Sequence, residues 1–320
     1  MAPLRDARKM NSRAQIRMLP DGRRLHMQDG PIDLIVEGFG NQTEIDAAYH
    51  AAGERFVTVL DELCAELTLL RQPAAENGPR PGGSVARRMV EAVRPYASAT
   101  FITPMAAVAG AVAEEILEAA TTSATLSRAY VNDGGDTALH LTPGEKFVVG
   151  IVEHPEWPAS PTFRKRPNLE HALFGTTSID FEQPIRGIAT SGWRGRSFSL
   201  GIADAFSVLA ETAAMADAAA TIIGNAVDLP GNRKIGRVRA CDLAPDSDLG
   251  GRFVTQSVEP LSPREICEAL AAGQRVAEPL RQAGLIHAVA LNLQGEVRVV
   301  GAEPGSRRLA ISPHRSFVHA

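Results

Sequence analysis

Two short stretches of this chain carry side chains whose types and spacing could do chemistry. Gly187-Ile-Ala-Thr-Ser-Gly-Trp-Arg-Gly-Arg196 is a glycine-rich turn with the hydroxyls of Thr190 and Ser191 and the guanidinium groups of Arg194 and Arg196. Amides freed by Gly192, hydroxyls and arginine forks all suit a phosphate, and Trp193 could stack on a planar ring. Arg194 and Arg196 also share strand parity and could equally form a solvated face, so the residues alone leave both readings open. The second stretch, Met215-Ala-Asp-Ala-Ala-Ala-Thr221, puts Asp217 and Thr221 on one face of an expected helix. A carboxylate and a hydroxyl are hard oxygen ligands of the kind Mg²⁺ takes, with water or phosphate completing the shell. An exposed aspartate beside a threonine bonded to its own backbone is the commoner use of that spacing. Together, an anion clamp and a cation site point to a phosphorylated ligand bound through a divalent metal.

A third stretch is weaker. In Asn132-Asp-Gly-Gly-Asp136 two glycines permit positive φ, so backbone N–H groups could converge on a ligand beside Asn132, Gly134, Gly135 and Asp136. A plain hairpin turn is the favoured reading. Asp242, Asp246 and Asp248 lack the glutamate an EF-hand needs and read as a solvated loop. The histidines form neither an H-E-x-x-H nor an H-x-H pair, and His140 reads as an ordinary strand residue. Neither a Ser-His-Asp signature nor a Rossmann glycine fingerprint is present.

The elements that must position these residues follow from periodicity and punctuation. Ile16, Met18, Leu25 and Met27 alternate around Pro20-Asp-Gly22, and a second turn at Asp29-Gly-Pro31 leads into Ile32–Val36, the start of a β-meander. A long helix is expected from Asn41 to Arg71, capped by Asn41 or Thr43. Ser84 is expected to cap a second helix through Val93. Thr103 opens a helix of small residues, Pro104 to Leu117, where tight packing is favoured over a ligand-facing role. Strands are expected at 128–132, 137–141, 146–152, 176–181, 187–190, 205–210 and 253–258, with a helix at 213–227 and a polar loop over 228–252. Residues 153–175, broken by four prolines, lack periodicity and read as a loop. Ser262-Pro-Arg-Glu265 is a capping box opening a helix to about Ala283, and a hairpin turning at Gln294-Gly295 closes the pattern. We expect flexible tails at 1–12 and 304–320 around a single α+β domain over 13–303.

Composition sets outer limits. The chain has 320 residues, 44% of them hydrophobic and 22% charged, with a net charge of −4. A core of adequate size can be buried without staples, and bulk charge does not indicate a nucleic-acid surface. Cys64, Cys241 and Cys267 are sparse and lack metal-ligand spacing, so they read as ordinary buried or half-buried thiols. The basic N-terminal stretch lacks the apolar run of a secretory signal, and Met105–Ala113, the longest apolar stretch, is too short for a bilayer. A cytoplasmic protein, free of membrane and nucleic acid and able to form a homo-oligomer, is expected.

Taken in order, the stretches at 106–114, 131–136, 187–192 and 216–221 resemble the ApbE superfamily of FAD:protein FMN transferases, closest to its cytoplasmic ApbE-like branch. The resemblance covers residues 100–230 well and the flanks loosely; no single motif is specific, but the ordered set is. It implies a T-fold-related α+β architecture, with mixed and antiparallel sheets flanked by helices. By that resemblance Asp217 and Thr221 bind Mg²⁺, helped by a carbonyl near Val108. Asn132, Gly134, Gly135, Asp136, Thr190, Ser191, Gly192, Arg194 and Arg196 border a site for FAD or another phosphorylated small molecule. FMN would pass to a threonine of a protein acceptor, with the metal and cations stabilising charge on phosphorus. The family's His-Ile-x-Asp-Pro motif corresponds here to Gly201-Ile-Ala-Asp204, which keeps the aspartate, a candidate base, but neither histidine nor proline. The family's helix lysine corresponds to Ala109. Three expectations follow: a transferase of divergent chemistry, a flavin- or metabolite-binding protein without transfer, or a scaffold whose glycine turns merely build the sheet.

Overall fold

The computed structural model describes residues 13–152, 173–301 and 312–313. The expected tails lie outside these, apart from Ser312 and Pro313, as do residues 153–172 of the expected loop. In chain order the elements are β1 (Gln15–Met18), β2 (Leu25–Asp29), β3 (Ile32–Phe39), α1 (Gln42–Ala65), α2 (Leu67–Leu70), α3 (Ser84–Val93) and α4 (Val108–Ser123). Then come β4 (Arg128–Asp133), β5 (Asp136–Leu141), β6 (Lys146–Val152), β7 (Leu173–Asp180), β8 (Gly187–Ser191), β9 (Ala205–Ala210) and α5 (Ala213–Ala226). The remainder are β10 (Ile235–Arg239), α6 (Ala240–Leu243), β11 (Phe253–Val258), α7 (Pro263–Gln282), β12 (Ala288–Leu293), β13 (Glu296–Val300) and β14 (Ser312–Pro313). Helices and antiparallel sheets together make an α+β fold. Two compact units share the chain: one takes the residues up to Lys146 with Pro184–Ile188 and Glu211–Ala218, the other Phe147–Gln183, Ala189–Ala210 and Ala219 onward.

In the first unit, β1 to β5 form an antiparallel meander in sequence order. Alternation carries Leu25, Met27, Leu34, Val36, Ala129 and Val131 into the core, against α1 and α4, with α3 packed on α4. Asn41 caps α1, its side chain accepting the Glu44 N–H at 3.0 Å. The expected helix to Arg71 breaks at Glu66, whose carboxylate accepts the N–H groups of Gly82 (2.6 Å) and Gly83 (3.2 Å) before α2 takes up the chain. Gly83, not Ser84, occupies the cap of α3; the Ser84 hydroxyl donates to Glu115 Oε1 at 2.6 Å. Pro104 opens a 3₁₀ turn over Pro104–Ala107, and the α-helix proper begins at Val108.

In the second unit, β9 and β12 pair antiparallel, Ala205 opposite Asn292 and Ser207 opposite Ala290, and every residue of both strands is buried. β13 returns through Gln294 (φ 48°) and Gly295 (φ 86°), a two-residue turn with both residues left-handed. The capping box at Ser262 and Glu265 is formed, and α7 packs on β12 and β13. The stretch expected as a polar loop over 228–252 contains β10 and α6; β10 finds its partner in β11, with an irregularity between Gly236 and Arg237. Strand β7 starts at Leu173, three residues before its expected beginning at Thr176, and pairs in a three-stranded sheet ordered β14-β7-β6.

Candidate functional site

Some of the expected site residues gather into two clusters, one in each unit; Thr221 joins neither. In the first unit, α4 and the opening of α5 approach closely because Gly110 has no side chain: a Cβ there would overlap the Ala213 carbonyl. Tight backbone packing is therefore what the small residues of α4 serve at this point. The Gly110 N–H donates to Asp217 Oδ2 at 3.1 Å, and the Ala109 N–H donates to the same carboxylate. Desolvation pushes the Asp217 carboxyl up to about 7, and the nearby carboxylate of Asp133 adds to the rise against the pull of the two N–H groups. Asp133 is itself buried, 5% exposed, and lies opposite Asp136 at the end of the β4–β5 pair.

The Asn132–Asp136 stretch is a hairpin turn, with Gly134 at φ 64° and Gly135 at φ 141°. Asn132 spends its amide across the hairpin, donating to Thr137 Oγ1 at 2.8 Å. Thr221 lies one turn beyond Asp217 on α5, half-buried and within the part of that helix belonging to the second unit. His140 Nε2 sits 3.3 Å from the Leu126 carbonyl, as befits a strand histidine.

In the second unit, Asp204 is the centre of a hydrogen-bonded knot. Its Oδ1 accepts from the Trp193 indole Nε1–H at 3.0 Å and from Arg194 Nη1, and its Oδ2 accepts the Gln294 N–H at 2.6 Å. Backbone bonds lock the same residues together: Trp193 N–H to Ala203 O at 3.0 Å and Asp204 N–H to Asn292 O at 3.0 Å. Gly192 is required here, because a Cβ would overlap the Asp204 carbonyl. The Arg194 guanidinium also stacks over the Trp193 ring, 4.2 Å from its centroid, with the side chain 39% exposed. Thr190 and Ser207 hydroxyls pair at 2.8 Å, Ser191 is half-buried, and Arg196 is exposed.

The structure thus brings together Trp193, Arg194 and Asp204 in one cluster and Asp217 with the end of the Asn132–Asp136 hairpin in the other. Sequence reasoning passed over Asp133, Glu114, Ser207 and Gln294. Asp133 lies inside the glycine hairpin motif, and Glu114 is half of a charged pair in a helix that begins with small apolar residues; Gln294 is signalled only as a turn residue, and Ser207 carries no local signal. Of the cysteines expected to be buried or half-buried, Cys64 and Cys267 are exposed, while Cys241 is half-buried. Among the described residues, no group of three or more His, Cys, Asp or Glu side chains is arranged to hold a metal. Nor is any described helix long and apolar enough to cross a membrane.

Comparison with known proteins adds the family. The chain is similar to a UPF0280 protein of Methanopyrus kandleri, 36% identical over 141 residues, covering 44% of this chain and 48% of that protein. A UPF0280 protein of Methanosarcina barkeri is 35% identical over 165 residues, 51% of this chain and 55% of the relative. One of Archaeoglobus fulgidus is 32% identical over 154 residues, 48% and 55% of the two chains. The matches span about half the length of these curated relatives. The model of a family described as "AbpE bacteria" matches residues 16–299, nearly the whole chain, and the protein therefore belongs to this ApbE-like family.

Proposed function

We propose that this ApbE-like protein binds a flavin nucleotide, FAD in the first instance, with Mg²⁺ held at Asp217. The observation that carries the reading is the setting of that carboxylate: half-buried, beside the buried carboxylate of Asp133, and touched by neutral N–H donors. Two carboxylates in such a place repel each other as anions, and a divalent cation removes the repulsion. The donors fit Mg²⁺, which takes few protein oxygens and completes its shell from water or phosphate. Thr221, on the next turn of α5, and a backbone carbonyl near Val108 are the further ligands of this reading. Bound there, the ion would neutralise a pyrophosphate and stabilise charge on phosphorus. Within the second unit, Ser191, Gly192, Arg194 and Arg196 are proposed to recognise an anion, with Thr190 acting while paired to Ser207 and Trp193 offering a ring face. The glycine hairpin with Asn132, Gly134, Gly135 and Asp136 is proposed to border the ligand. A threonine-bearing protein is the acceptor in the transferase form of the reading, and a cytoplasmic setting belongs to the same proposal.

The Asp204 knot favours a second form, a flavin-binding protein without transfer. To act as base, Asp204 must first release one of the donors from Trp193, Arg194 or Gln294. Left in place, those contacts make it the residue that orients the indole and the guanidinium.

The test is a titration of the purified protein with FAD, with and without Mg²⁺. Wild type is expected to bind at least about tenfold more tightly with the metal, and Asp217→Asn to lose that difference. Equal affinity with and without Mg²⁺ in the wild type removes the metal from the reading; no flavin binding removes the whole. Arg194→Ala is expected to weaken FAD by about 1.5–3 kcal/mol, the worth of a charged hydrogen bond. Appearance of FMN on a threonine peptide selects the transferase, and FAD binding without that product selects the binder.

A further inference from the structure

The cation reading gives Asp217 its role; how α5 is held so that Asp217 stays in place is a separate matter. Helix α5 opens with N–H groups that need acceptors. Thr212 serves two of them locally, its Oγ1 accepting the Met215 N–H at 3.3 Å and its carbonyl the Ala216 N–H at 3.0 Å. The Ala214 N–H goes instead to Glu114 Oε1, at 2.7 Å, a side chain reaching across from α4. Ala214 is 2% exposed, so water cannot replace that acceptor. An anionic side chain suits the position, since the N-terminal end of a helix carries partial positive charge.

Glu114 is held in turn. Arg88 Nη1 contacts its Oε2 at 3.2 Å, and Arg88 Nε reaches Glu115 Oε2 at 3.2 Å. Glu115 also takes Arg55 Nε at 2.8 Å and the Ser84 hydroxyl at 2.6 Å. The chain of contacts runs from α1 and α3 through α4 to the first turn of α5. One turn back along α4, Gly110 admits the Ala213 carbonyl and donates to Asp217. Successive turns of α4 therefore grip α5 on either side of the turn that leads to the carboxylate.

We propose that Glu114 is a positioning residue for Asp217: as the acceptor for the Ala214 N–H, it fixes the seat of α5 and with it the placement of the cation-binding carboxylate. This inference rests on the reading of Asp217 as a cation ligand. The experiment uses the full chain and Mn²⁺ as probe, with free Mn²⁺ read by its paramagnetic resonance signal, alongside amide hydrogen exchange at Ala214. Glu114→Ala is expected to weaken Mn²⁺ binding by about tenfold or more while the fold is kept, with faster exchange at Ala214. Glu114→Gln, which retains an acceptor oxygen, is expected to stay within about twofold of wild type. If the alanine variant does not fold, Glu114→Asp, one methylene too short to reach, replaces it with the same loss expected. Unchanged Mn²⁺ binding in the shortened variants overturns the proposal. So does an equal loss in Glu114→Gln, which would assign the effect to the Arg88 ion pair. Wild-type protein lacking Mn²⁺ binding that depends on Asp217 removes the cation reading, and this inference falls with it.

Discussion

Asp217 in the first unit is half-buried and Asp204 in the second is buried, and their surroundings are opposite. Asp204 meets a guanidinium, an indole N–H and a backbone N–H, so its charge is matched and its geometry over-determined. Asp217 meets backbone N–H donors and the carboxylate of Asp133, so its charge is opposed. A carboxylate matched by a cation and N–H donors is stabilised as an anion, whereas one with a like charge beside it is not, and the proposed cation would relieve that opposition. That difference separates two aspartates that look alike in sequence.

Removing each side chain in turn should break the comparison most sharply. Asp204→Ala removes the shared acceptor of the Gln294 N–H and of the half-buried Trp193 indole N–H and is expected to cost about 1–3 kcal/mol. Asp217→Asn removes an opposed charge and is expected to cost less than about 1 kcal/mol, or to stabilise, when unfolding is followed in urea at pH 8. Equal costs at the two positions would erase the distinction.

A pH series sharpens it further. The Asp217 carboxyl titrates near 7 when folded and near its ordinary 3.8 when unfolded, so between these values the folded chain binds more protons. Its contribution to stability is fully present below about 4 and is lost as pH rises toward 7. After discounting for partial exposure, the loss is on the order of 1–2 kcal/mol. Melting curves from pH 4 to 8 should show this decline in wild type and lack it in Asp217→Asn, with Mg²⁺ restoring stability at neutral pH. A parallel decline in both proteins would assign the effect elsewhere. The smallest effect belongs to Arg194→Ala: with its side chain 39% exposed, the lost pair with Asp204 should cost under about 1 kcal/mol. A cost near that of Asp204→Ala would mean the guanidinium, rather than the backbone and indole donors, holds the knot.

Several elements are legible in the amino-acid sequence. Asn41 and Ser262 announce their helices because a cap and its N–H lie within one turn of chain. The Gly134-Gly135 and Gln294-Gly295 turns announce themselves because few residues accept positive φ. Other features are hidden for an equally physical reason. Helix α1 stops at Glu66 to serve Gly82 and Gly83, whose N–H groups lie far along the chain. Strand β10 is masked by polar neighbours, and only its pairing with β11 makes it a strand. In the candidate site, Asp217 is legible as a helix carboxylate one turn from Thr221, while Asp133 and Glu114 do not stand out. Their significance depends on α4, α5 and the β4–β5 hairpin meeting.

By itself the amino-acid order determined the turns, the caps, the alternation that makes the meander, and the set of carboxylates, hydroxyls and arginines available for chemistry. Those features depend on contacts a few residues apart, which any stretch of chain can make alone. Tertiary structure decided which aspartate is satisfied and which is opposed. Desolvation and distant donors set that state: Gln294 reaches Asp204, and Gly110 reaches Asp217, from remote parts of the chain. Charge environment belongs to the assembled neighbourhood, so it comes into being only when the elements pack.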